Sequence, residues 1–219
     1  MLTFEEIFKN QTIKTYIKRA DEALGVLGYT EHSFAHVTKV AHSAKEILLT
    51  LGYSEREAEL AQIAGYLHDI GNVINRTDHA QSGAVMAFRI LDNIGADAED
   101  IATIIGAIGN HDEGTAVAVS PIAAALILAD KTDVRRSRVR NRDLATFDIH
   151  DRVNYAVERA YTEISQDKTA ITLNIQIDTK ISAVMDYFEI FLARMLLCRK
   201  AAEMLKLKFQ LVINDQVVL

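Results

Sequence analysis

The sequence predicts a mainly α-helical protein that carries a small C-terminal strand–helix–strand (α+β) tail. Three observations predict it. A single proline and ten glycines in 219 residues leave little to interrupt helices. Helix-opening signals precede long segments with helical apolar spacing. Near residue 170 the pattern changes to alternating β-branched and polar residues.

The elements follow in order. Thr3 with Glu6 reads as a capping box and opens a helix over about 3–27. A second helix is expected over about 31–51. Ser54 with Glu57 is another capping box, opening a helix over about 54–69. Apolar spacing then gives helices over about 79–94 and 97–109. Ser120-Pro121 reads as an N-cap with proline at the first helical position, opening about 120–134, and a further helix is expected over about 148–165. The turns GYT, GYS, GNVINRTD, GAD and DEGTAVAV separate these helices. ITLNIQID (171–178) reads as a strand, residues 180–207 as one long helix, and KFQLVINDQVV (208–218) as a second strand. The organisation is therefore a helical bundle over 1–143 and an appendage over 144–219. Two strands are too few for a free-standing sheet. The tail should pack on the body or pair with a second copy, forming a homodimer.

Composition bounds the function. The chain is 49% hydrophobic and 25% charged, as an ordinary soluble protein with a real core would be. A net charge of -6 argues against nucleic acid as a partner. Cys198 is the one cysteine, so no internal disulfide forms; a buried inert thiol in a reducing, cytoplasmic setting fits. MLTFEEIFKNQ does not read as a secretory signal, and PIAAALILA is too short to span a bilayer, so no membrane partner is expected. Neither a glycine-rich phosphate loop nor a nucleophile elbow is present in the sequence.

The chemistry lies in YLHDIGN, where His68 and Asp69 close an apolar run. Two such polar groups beside a core are costly without strong partners. They fall at a helix end, where Gly71 lets the chain turn away. Imidazole nitrogen and carboxylate oxygen are typical ligands of divalent transition metals. His36, on the preceding helix, and Asp130, at the end of the apolar AAALILADKTD, supply the missing ligands.

This series, His36, then His68-Asp69, then Asp130, resembles the HD superfamily of metal-dependent phosphohydrolases, down to the tetrapeptide HDIG; the similarity covers about residues 30–140. The resemblance implies an all-helical HD-domain bundle and hydrolysis of a phosphoester or phosphoanhydride by a metal-activated hydroxide. It also implies that His79 and His111 hold a second ion, with Asp69 bridging the two. The cofactor would be two divalent transition ions drawn from iron, manganese, cobalt, nickel or zinc. Without an ion, His79 would be a helix-capping residue and His111 a helix-end residue favoured by the dipole.

His32 stands four residues before His36, so both should project from one helix face. Some cyclic-nucleotide phosphodiesterases of the superfamily share this spacing, and in them the earlier histidine protonates the leaving oxygen; the alternative is a solvent-facing histidine. His150 reads as a surface residue. KTDVRRSRVRNR holds six basic residues directly after Asp130. Lys131 is the best placed to reach a phosphoryl group, and Arg135 and Arg138 would follow on the next turns if the helix continues. The alternative is a solvated basic helix end. Catalytic roles thus fall to Asp69, Lys131 and His32, and phosphate binding to Lys131, Arg135 and Arg138.

The expected substrate is a small, phosphorylated, nucleotide-like compound. The stretch from AIGNHDEGT to ILADKTDVRRSR is similar to bacterial diadenosine tetraphosphate hydrolases of the superfamily, whereas the tail has no counterpart in them. The Gly-Tyr-Pro signature of cyclic-di-GMP phosphodiesterases is absent from NHDEGTAVAVSP. Two other readings use the same ligands: an HD-type diiron oxygenase, and a non-enzymatic metal-stabilised sensor whose tail binds a partner.

Overall fold

The computed structural model describes residues 2–219. The Thr3–Glu6 capping box forms as the sequence predicts, but the helix it opens is short: α1 spans Phe4–Lys9. Asn10 ends it. The Asn10 side chain accepts from the Thr12 and Ile13 amides and opens α2, Gln11–Val26, so the expected helix over 3–27 is two helices. Helix α3 (Phe34–Leu51) begins after Ser33 and stops at Gly52, whose φ of 93° only glycine adopts cheaply. The Ser54–Glu57 capping box opens α4, Glu55–Leu67. After a 3-10 turn at Ile70–Val73 come α5 (His79–Asn93), α6 (Ala98–Gly109) and α7 (Pro121–Lys131). Ser120 caps α7 and Pro121 occupies its first turn, as predicted.

Helix α7 is the hub. Every residue from Ile122 to Lys131 is buried, as an all-round apolar sequence requires. It packs against α3, α4 and α6, and its remaining side is covered by α9 (Val184–Met204) from the tail. The body and the tail share one hydrophobic cluster, which includes Leu126, Ile127, Phe191, Met195 and Cys198. Cys198 is fully buried, and burial pushes its thiol pKa up to about 12.

The tail corrects part of the sequence reading. The expected helix over 148–165 ends at Ala156 (α8, Ile149–Ala156), and the next residues form strand β1, Val157–Ile164. VERAYTEI contains Val157, Tyr161, Thr162 and Ile164, which fit a pleated surface, and it pairs antiparallel with β2, Ala170–Ile177. Tertiary pairing here overrides a helix-compatible local pattern. Helix α9 then crosses over to β3 (Lys208–Ile213), which lies parallel to β2 with Ala170 opposite Lys208 and Ile175 opposite Ile213. The expected strand over 208–218 folds back at Asn214-Asp215, both at positive φ (49° and 64°), to give the two-residue strand β4, Gln216–Val217. The result is a four-stranded sheet in the order β1-β2-β3-β4. Its inner row of Ile171, Leu173, Ile175 and Leu211 is buried. Among the described residues, no helix is long and apolar enough to cross a membrane.

Candidate metal centre

Five helix ends or first turns aim at one point. His36 is in the first turn of α3, and His68 caps the end of α4. Asp69 follows with φ -96° and ψ 0°, the bridge conformation common at active sites. His79 opens α5, set there by Asp78 in the left-handed region at φ 57°. His111 lies just past α6, and Asp130 is in the last turn of α7. Close packing holds the 3-10 turn against α5: a Cβ on Gly71 would lie 2.0 Å from the His79 carbonyl oxygen and 2.5 Å from the Gly83 amide nitrogen. The chain turns away through the 3-10 segment that holds Gly71, as expected, and since Gly71 has no positive φ, what the turn requires of it is this close approach.

The six groups converge. His36 Nε2 lies 3.3 Å from Asp130 Oδ1 and 3.6 Å from Asp69 Oδ2. His68 Nε2 lies 3.1 Å from Asp69 Oδ2 and 3.7 Å from Asp130 Oδ1. The other oxygen of Asp69, Oδ1, is 3.6 Å from His79 Nε2, which is 3.2 Å from His111 Nε2. Asp69 therefore faces His36 and His68 with one oxygen and His79 with the other. All six residues are at least nine-tenths buried.

The second ring nitrogens fix the first. His36 Nδ1 is 2.8 Å from Asp133 Oδ2, and the Nδ1 atoms of His68, His79 and His111 lie 2.8, 3.1 and 2.6 Å from the carbonyl oxygens of Gly65, Arg76 and Ile108. Each acceptor takes the Nδ1 proton, so in the neutral rings every Nε2 lone pair points inward. This is the arrangement metal-ligating histidines use. His36 Nε2, His68 Nε2 and Asp69 Oδ2 are buried without any hydrogen-bond partner. Such atoms are costly unless something else satisfies them. A divalent cation fits this donor set. The trios His36, His68, Asp130 and His68, Asp69, His111 each bring three ligand atoms within 4.8 Å of one another.

Electrostatics agrees with the geometry. Burial opposes the charges of Asp69 and Asp130, yet neighbouring His68 and Lys131 hold both pKa values well below the carboxylate range. Burial pulls His79 and His111 down, leaving them neutral with lone pairs to donate. His68 also loses solvation, but the carboxylates of Asp69 and Asp130 push it up to about 10. A cation entering the cage therefore replaces a proton on His68.

Two residues missed by sequence reasoning support the cage. Asp133 is 2% exposed and takes hydrogen bonds from His36 Nδ1, Lys39 Nζ (2.7 Å) and Arg135 Nε (2.7 Å). Burial opposes its charge, but these donors hold its pKa far below normal. In the sequence it is only a second aspartate three residues after Asp130, with nothing to set it apart from a solvated acid. Glu113 faces Lys131 Nζ at 3.7 Å.

The expected phosphate-binding residues divide. Lys131 is 4% exposed, 2.6 Å from Asp130 Oδ2, and lines a cavity of about 520 Å³ beside the cage. Burial works against the Lys131 charge, but Asp130 and Glu113 raise its pKa. Helix α7 stops at Lys131 instead of continuing, so Arg135 and Arg138 do not follow on its turns. Arg135 folds back on Asp133, whose buried carboxylate needs partners, and does not line the cavity. Arg138 does: its Nε and Nη1 donate to the carbonyls of Glu31 and Asp133, while among the described residues nothing takes a hydrogen bond from its Nη2. His32 precedes α3 rather than sharing a helix face with His36, because Ser33 is the cap. It still lines the cavity, its ring 5.4 Å from that of His36 and its Nδ1 2.7 Å from the Thr30 carbonyl. Burial and the nearby Arg138 hold His32 well below the ordinary histidine range. His150 is exposed and also lines the cavity.

Comparison with known proteins adds the following. A family model described as HD domain matches residues 33–153. The uncharacterized protein MJ1020 of Methanocaldococcus jannaschii is 28% identical over 212 residues, covering 86% of this chain and 80% of that protein. The crystal structure of a predicted HD superfamily hydrolase from an uncultured Thermotogales bacterium is similar at 24% identity with a TM-score of 0.46, covering 61% of this chain and 75% of that one.

Proposed function

Because the chain belongs to the HD domain family, we propose that it is a metal-dependent phosphohydrolase acting on a phosphoester or phosphoanhydride of a small, nucleotide-like compound. One observation carries the reading. A single cavity is lined both by cage residues (Asp69, His79, His111, Asp130) and by the cations Lys131 and Arg138. Its volume of about 520 Å³ suits a nucleotide-sized molecule.

His36, His68, Asp69 and Asp130 would hold one divalent ion, and His79, His111 and Asp69 a second. Bound there, such ions supply Lewis acidity and bring the pKa of coordinated water from ~16 towards ~7. The protein's own groups do the rest. Asp69 spans both halves of the cage through its two oxygens. Lys131 and Arg138 orient the phosphoryl group and offset its charge as it develops. His32 is neutral at rest, with Nδ1–H held on Thr30, so its free Nε2 would accept the proton given up by the attacking water and pass it to the departing oxygen.

Asp69→Ala tests the reading. The variant should lose bound metal by elemental analysis and, with it, manganese-dependent hydrolysis of p-nitrophenyl phosphate and nucleotides. A variant that kept its metal and turned over phosphoesters normally would refute the proposal.

A further inference from the structure

The floor of the cavity is the cage, but its outer wall is built from elsewhere. Helix α9 lies outside the residues matched by the family model, and it brings Ile190, Phe191 and Arg194 to the same cavity. A guanidinium within the apolar run FLARMLLC is costly unless it is paired. One side of Arg194 is paired. Its Nε donates to Glu113 Oε1 at 2.7 Å, and its guanidinium carbon sits 4.5 Å from the Phe191 ring centroid. The same Glu113 oxygen faces Lys131 Nζ, which contacts Asp130 of the cage. The other side is open: among the described residues, nothing accepts a hydrogen bond from either Nη of Arg194, although its side chain is only 24% exposed.

Resting on the phosphohydrolase reading above, we infer that Arg194 is a phosphate-binding residue of this site, holding a substrate phosphoryl oxygen through its Nη atoms while Glu113 keeps its Nε. Its geometry suits that task. The Glu113 bond and the Phe191 ring fix the plane of the guanidinium, so a planar pair of donors meets the anion without further ordering. Glu113 is then the resting counter-ion of both Arg194 and Lys131. It compensates the buried Lys131 and the part-buried Arg194 when no anion is present, and competes with phosphate for them when one arrives. The alternative is that Arg194 merely ties α9 to the loop carrying Glu113. The two roles differ in what Glu113 should do.

The experiment uses the full-length, manganese-loaded protein, with inorganic phosphate binding followed by calorimetry and p-nitrophenyl phosphate turnover by steady-state kinetics. Arg194→Gln should weaken phosphate binding and raise KM by about 10–100-fold, the range for a charge-assisted hydrogen-bonding group, with a smaller change in kcat and unchanged metal content. Glu113→Gln should bind phosphate as well as the parent protein or more tightly. Arg194→Lys, which keeps the charge and loses the fork, should fall between. If Arg194→Gln and Glu113→Gln weaken phosphate alike, the pair is a structural tie and the inference fails. It fails equally if Arg194→Gln and Arg194→Lys both bind as the parent does. A parent protein that neither binds phosphate nor hydrolyses the ester would overturn the phosphohydrolase reading itself, and this inference with it.

Discussion

Asp133 shows what one side chain can do without touching a substrate. It holds His36 Nδ1 at 2.8 Å and is itself held by Lys39 and Arg135, so the orientation of the His36 lone pair depends on a chain of charged contacts. Asp133→Asn keeps the shape and removes the charge. Loss of such an outer carboxylate commonly costs about 10–100-fold in metal affinity. That fall should appear when the variant and the parent compete with a fluorescent chelator for manganese or zinc, and an unchanged affinity would remove Asp133 from the cage. His68, Asp69 and Asp130 could be picked out in the sequence because imidazole and carboxylate groups at the ends of apolar runs announce an unmet need, whereas His79 and His111 entered only through the family resemblance. Asp133 and Glu113 could not. Their meaning lies in pairings with His36 and Arg194, 97 and 81 residues away, and an isolated acid in a sequence looks the same whether it faces water or a buried ring.

At the level of elements, the cage depends on how closely the HDIG turn and α5 approach. Gly71 and Gly83 meet backbone to backbone, and a methyl group on Gly71 has no room beside the His79 carbonyl. Gly71→Ala should therefore cost about 1–3 kcal/mol, the usual range for overpacking, and displace His79 from the cage. Denaturant titration would register the first effect and metal stoichiometry the second; a variant normal in both would show that the turn can yield. Helix starts were legible at Thr3, Ser54 and Ser120, where a capping side chain stands directly before an apolar-periodic run. The β1 strand was not, because its apolar residues satisfy a helix pattern until β2 is present to pair with it. Nor was the break at Asn10, since asparagine inside an apolar-periodic stretch becomes a cap only when the chain bends there.

For the whole molecule, the cage is a concentration of buried charge at the centre of the fold. His36 Nε2, His68 Nε2 and Asp69 Oδ2 are unpaired in the protein alone, so any bound cation stabilises the folded chain relative to the unfolded one. With free metal at about 100 times its Kd, that linkage is worth about 2.7 kcal/mol. At ~2–4 °C per kcal/mol for a chain of this size, chelation should lower Tm by roughly 5–10 °C. Scanning calorimetry of the manganese-loaded protein with and without EDTA measures it; coincident transitions would mean that the buried donors hold nothing.

The sheet lends no side chain to the cavity, yet β2 and β3 grip the two ends of α9 as neighbouring parallel strands. The helix bearing Arg194 is thus moored fore and aft, at a distance from the chemistry. Damage to that mooring would surface as poor substrate capture by an enzyme still fully charged with metal, and a geneticist mapping such lesions would find them far from any ligand.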